Sequence, residues 1–113
     1  MPKRNDEILL TDIITNLRIV LDFTTGYSFN AFNTDIKTQY AADRCFEIIG
    51  EAARNISDEF VLENPGIEWH KLIAFRNVLI HEYFRVDLKI IWKIIEQELP
   101  TLKDQIDSIL WSN

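Results

Sequence analysis

The sequence predicts an all-α protein: an up-and-down bundle of about five helices, folded as one domain over residues 1–113. Three observations predict it. Apolar residues recur at spacings of three and four along most of the chain, the period of helices buried on one face. No segment alternates apolar and polar residues long enough to make a strand. The breaks between periodic segments are short, as they are between neighbouring helices of a bundle.

The first helix is marked by Leu10, Ile14, Leu17 and Leu21, which fall on one stripe. Gly26, Ser28 and Asn30 interrupt it, and Asn33-Thr34-Asp35 supplies capping side chains for the next helix. That helix carries Cys45, Ile49, Ala52 and Ile56 on a second stripe. Asn64-Pro65-Gly66 has the composition of a turn. A helix holding residues 69 to 84 follows, then one with Leu88, Ile91, Ile95 and Leu99 on its apolar face. Pro100-Thr101 is expected to end that helix. Thr101 with Asp104 is expected to cap a short last one bearing Leu102, Ile106, Ile109 and Leu110.

Composition narrows the classes. With 47% apolar and 27% charged residues the chain is an ordinary globular domain. The start, Met1-Pro2-Lys3-Arg4-Asn5-Asp6-Glu7, leads into no uninterrupted apolar segment, so no signal peptide and no membrane span are expected. Cys45 is the one cysteine, which excludes an intramolecular disulfide and points to the cytoplasm. It reads as a small buried hydrophobe rather than a nucleophile. Net charge is −6, unfavourable for coating nucleic acid. Between Trp69 and Lys93, however, five basic residues (Lys71, Arg76, Arg85, Lys89, Lys93) face two acidic ones (Glu82, Asp87). An acidic body with one basic segment is compatible with a local phosphate site.

That segment contains Arg76-Asn77-Val78-Leu79-Ile80-His81-Glu82-Tyr83. Histidine titrates in the range needed for both acid and base roles. Arginine presents a planar fork of donors matched to phosphate oxygens. On one straight helix, Arg76 and His81 would lie about 140° apart in azimuth and about 7.5 Å apart along the axis. They would not converge on one phosphate through backbone geometry alone. Asn77 and His81 would share a face, and so would Arg76 and Tyr83. Two copies meeting through this helix would bring Arg76 and Asn77 of one chain to His81 of the other.

Such a dimeric cleft suits RNA, which carries its own nucleophile in the ribose 2′-hydroxyl. One His81 removes the 2′-hydroxyl proton and the other protonates the leaving 5′-oxygen. Arg76 stabilises charge on the phosphate, and Asn77 orients His81 or donates to the phosphate. No metal or other cofactor is called for, since no cluster of carboxylates or histidines has metal-ligand spacing. The residues also admit a purely structural reading. In it His81 is a core histidine bonded to a backbone carbonyl, Arg76 pairs with an acid on a neighbouring helix and Tyr83 packs at a helix end. Glu82 would oppose RNA unless it points to solvent, or would raise the pKa of His81 by pairing with it. His70, the other histidine, reads as a surface or interface residue.

The R-N-x-x-x-H-x-Y spacing resembles the signature of the HEPN superfamily, in particular its HepT-type members. Three further blocks carry the likeness. Cys45-Phe46-Glu47-Ile48-Ile49-Gly50-Glu51-Ala52-Ala53 resembles their I-G-E-A helix, Pro65-Gly66-Ile67-Glu68-Trp69 their P-x-I-x-W lead-in, and Leu99-Pro100-Thr101-Leu102 their tail. It extends over about residues 5 to 110. It implies a HEPN-like homodimeric bundle acting as a ribonuclease toxin, with Arg76 and His81 catalytic. It also implies an antitoxin partner, a minimal nucleotidyltransferase of the MntA type that transfers AMP from ATP to the motif tyrosine, here Tyr83. Two alternatives compete: a non-catalytic helical module that dimerises or binds a nucleotide in the service of such a nucleotidyltransferase, and a plain dimerisation bundle. The net charge leans toward these, and the complete motif toward the enzyme.

Overall fold

The computed structural model describes the backbone of residues 3–81 and 87–111, and the side chains of these except 77–81. The described residues form seven α-helical segments: α1 (Arg4–Phe23), α2 (Phe29–Thr34), α3 (Ile36–Arg54), α4 (Asp58–Glu63), α5 (Trp69–His81), α6 (Leu88–Lys93) and α7 (Leu99–Leu110). A π-helical turn, Ile94–Glu98, joins the last two. No strand occurs among the described residues. The five helices expected from the sequence are α1, α3, α5, α6 and α7; α2 and α4, six residues each, are additions in the segments between them.

Both additions are built by capping. Gly26 takes the left-handed φ of +78° that turns the chain after α1, and Ser28 then accepts the amide of Ala31 to open α2. Asp35 alone of the expected Asn33-Thr34-Asp35 cap begins α3. Its carboxylate accepts the Thr38 amide at 3.1 Å, the Thr38 hydroxyl at 2.7 Å and the Tyr27 hydroxyl at 2.7 Å. These donors hold its pKa below the ordinary carboxylate range. Ser57 caps α4 by accepting the Phe60 amide, while its own amide and hydroxyl donate to Asp6 at 2.9 and 2.6 Å. The buried Asp6 thus ties the first turn of α1 to the corner after α3.

The centre of the molecule is α3, which packs on α1 along one side and on α5 along the other, while α7 covers α1. Of the four predicted stripe residues, Cys45, Ile49 and Ala52 are buried there and Ile56 is buried just beyond the end of α3, with Leu10, Ile14 and Leu17 opposite on α1. Phe46 of α3 meets Phe75 of α5 with ring centroids 5.4 Å apart. Burying such a ring contributes on the order of 2–3 kcal/mol, so truncating Phe46 would loosen α3 from α5. Cys45 is buried and its thiol pKa is pushed up by burial, which suits a core residue and not a nucleophile.

The expected break at Pro100-Thr101 is absent. Proline supplies no amide for the carbonyl four residues back and its ring crowds that carbonyl. The chain answers by widening one turn: Leu99 donates its amide to Ile94, five residues back, and the helix runs on through Pro100. Thr101 and Asp104 therefore lie inside α7, whose N-terminal flank Glu98 makes no side-chain cap.

Candidate active site

Helix α5 is fixed at three points. At its start, Ile67 and Trp69 are buried, Trp69 stands edge-on to Phe60 with centroids 6.0 Å apart, and its indole N–H donates to the Asn64 carbonyl at 3.1 Å. Half-way along, Phe75 locks against Phe46. One residue later the helices nearly touch. A Cβ placed on Gly50 would lie 2.5 Å from the Arg76 Cβ and 3.0 Å from the Arg76 amide nitrogen, so only glycine admits this approach. The phase of α5 is set by these contacts, and it brings Arg76 to the crevice between α3 and α5.

There the Arg76 Nε lies 3.4 Å from Glu51 Oε2, with the arginine side chain one-third exposed. The contact is an ion pair without a hydrogen bond. Among the described residues the Nη atoms have no hydrogen-bond partner. Beside it opens a cavity of about 360 Å3 lined by residues of α1, α3 and α5, including Asp12, Arg44, Glu47, Glu51 and Arg76. Three carboxylates thus surround two guanidiniums, and Arg44 is itself 3.7 Å from Glu47. Of the four described basic residues of the segment seen in the sequence, two are paired with acids, Arg76 as above and Lys71 between Glu68 at 2.7 Å and Glu98 at 3.0 Å.

Asn77 and His81 lie on the same uninterrupted helix as Arg76, with His81 its last residue. Five residues of α-helix separate the Arg76 and His81 backbones by about 140° and about 7.5 Å. One chain therefore does not bring the two together through backbone geometry. Their partners Glu82 and Tyr83 lie outside the described residues. His70 is exposed near the opposite end of α5, beside an apolar groove formed with α4, roughly 16 Å along the axis from His81. Among the described residues no group of three or more His, Cys, Asp or Glu side chains could hold a metal ion. No described helix is long and apolar enough to cross a membrane.

Two residues escaped the sequence reading. Glu51, quoted only as part of the I-G-E-A block, is the residue that pairs with Arg76. Asp43 is half-buried one turn from Glu47, and burial, with the Glu47 charge, pushes its pKa up to about 6. A glutamate directly after a helical glycine was the available signal for the first; the second had none beyond an i, i+4 acid pair.

The profile of the family described as Ribonuclease HepT-like matches residues 13–109. The chain belongs to the HepT-like family. A "putative RNase" of Methanocaldococcus jannaschii is 35% identical over 96% of this chain and 100% of its own length. A "probable ribonuclease HepT" of Thermococcus cleftensis is 37% identical over 95% of this chain and 97% of its own. A "putative RNase" of Caldanaerobacter subterraneus is 37% identical over 89% and 90%. No solved structure gives a significant match. As a HepT-like protein the chain keeps its I-G-E-A block where it matters physically: Gly50 admits α5, and Glu51 meets Arg76.

Proposed function

We propose that this protein is a metal-independent endoribonuclease toxin acting as a homodimer in the cytoplasm. The observation that carries the reading is Arg76 held in the α3–α5 crevice with its Nη fork unengaged among the described residues, on the same helix as His81. The names of the relatives support the substrate. Because α5 turns Arg76 and His81 apart, the second chain's His81 completes the site. One His81 takes the 2′-hydroxyl proton, the 2′-oxygen attacks phosphorus, and the P–O5′ bond breaks. The other His81 protonates the departing 5′-oxygen, leaving a 2′,3′-cyclic phosphate. Arg76 bears the charge on the phosphate oxygens and Asn77 orients His81 or donates to the phosphate. No cofactor enters these steps.

The regulatory half of the proposal is an antitoxin, a minimal nucleotidyltransferase of the MntA type that places AMP on Tyr83. Added phosphate beside the cleft repels RNA and occupies the anion site at Arg76.

The test is cleavage of total RNA by the purified protein in EDTA, beside a folded His81→Ala variant. The wild type is expected to leave cyclic phosphate ends, with His81→Ala slower by about 10²- to 10⁴-fold. No cleavage by unmodified, partner-free protein would overturn the enzyme. The acidic walls around Arg76 would then favour a non-catalytic module serving the nucleotidyltransferase.

A further inference from the structure

We infer that Glu51 is the positioning residue of Arg76: it holds the guanidinium by its Nε edge so that the two Nη atoms are presented together to an RNA phosphate. This rests on the ribonuclease reading above. Arginine reaches its target through several rotatable bonds, and a fork that wanders loses the paired donors that make it selective for phosphate. Two neighbouring residues of α3 restrain it here. Gly50 sets the Arg76 Cα and Cβ by direct approach of the helices, and Glu51 takes hold of the far end of the side chain at Nε, 3.4 Å away. Because the two are consecutive, the helix that seats the root of the arginine also seats its head.

The other acids of the cavity do not share this task. Glu47 is engaged with Arg44 on its own helix, and Asp12 makes no ion pair among the described residues. Contact through Nε matters because it leaves the Nη edge for a bidentate partner. A carboxylate across the Nη pair would instead occupy the geometry a phosphate needs. The Glu51 charge also repels RNA, so the arrangement gives up some affinity for the ground state in exchange for orientation in the transition state. That opposition has a kinetic signature: removing the charge should lower turnover without weakening binding.

The experiment measures kcat and KM of the intact dimer on a fluorogenic oligoribonucleotide, for wild type, Glu51→Gln and Glu51→Asp, with thermal melting of each. Glu51→Gln is expected to lower kcat about tenfold with KM unchanged or lower and melting unchanged. Glu51→Asp, which keeps the charge but shortens the reach, should fall between it and the wild type. Wild-type kcat in Glu51→Gln would overturn the inference and leave the ribonuclease standing. So would a loss of kcat that tracks a fall in melting temperature, since Glu51 would then be structural. Absence of cleavage by the wild type itself overturns the ribonuclease reading, and this inference with it.

Discussion

Asp6 and Arg76 are both charged side chains held across a helix boundary, and they are held in opposite ways. Asp6 is 4% exposed and receives two hydrogen bonds from Ser57, one from the amide and one from the hydroxyl. Arg76 is one-third exposed and has, among the described residues, a single 3.4 Å ion pair. A buried carboxylate must have its donors or the fold loses more than it gains. An accessible guanidinium beside a cavity can be half-held, and only a half-held group can exchange its partner for a ligand. The difference separates a charge that organises the fold from one that is available to do chemistry.

The largest effect should come from the first kind. Asp6→Ala leaves the amide and hydroxyl of Ser57 without their acceptor at a part-buried corner, at a cost of about 3 kcal/mol. Chemical denaturation should show it, while cleavage per folded molecule stays at the wild-type level. Reduced specific activity in the folded fraction would break the contrast between the two charges.

Gly50→Ala should cost somewhat less, about 2 kcal/mol, the strain of inserting a methyl group offset in part by the better helix propensity of alanine. It differs in kind. The new Cβ pushes directly on Arg76, so specific activity should fall together with stability. If activity survives a destabilised fold, the crevice does not set the arginine.

Asp43 is the intermediate case, half-buried with no hydrogen-bond partner among the described residues. Its folded pKa of about 6 lies above the value of 3.8 expected in the unfolded chain, raised by burial and by Glu47. The fold therefore binds this proton more tightly than the unfolded state does. Its favourable contribution is complete below about pH 4 and is lost as pH rises through 6. Discounted for its solvent-exposed half, the penalty at pH 8 is about 1 kcal/mol. Asp43→Asn should raise stability by that amount at pH 8 and leave it unchanged at pH 4, read from denaturant midpoints at the two pH values. An equal gain at both would assign the effect to packing.

The bundle was legible because its long helices carry apolar stripes over several turns, and Leu10, Ile14, Leu17, Cys45, Ile49 and Ala52 are buried as their spacing requires. Helices α2 and α4 were not, since fewer than two isolated turns give no period to read; the capping serines Ser28 and Ser57 were their only trace. Pro100 misled because proline forbids one hydrogen bond, not a helix, and a widened turn absorbs the loss. Arg76 was visible as chemistry before it was visible as geometry. Its partner Glu51 was not, because which acid reaches an arginine across two helices depends on how closely those helices approach, and that is decided at Gly50.

The seating of Trp69 has an optical consequence. Its indole is 5% exposed and hydrogen-bonded at the start of the motif helix, whereas Trp111 is 75% exposed at the far end of α7. A water-borne quencher such as iodide should extinguish Trp111 and spare Trp69. Trp92, half-buried against Phe32, should be quenched in part, so the emission that survives at high quencher comes chiefly from Trp69. Light from this protein can therefore be sorted into a wet and a dry component without a label. A change confined to the dry component would show the base of α5 responding when something arrives at its other end.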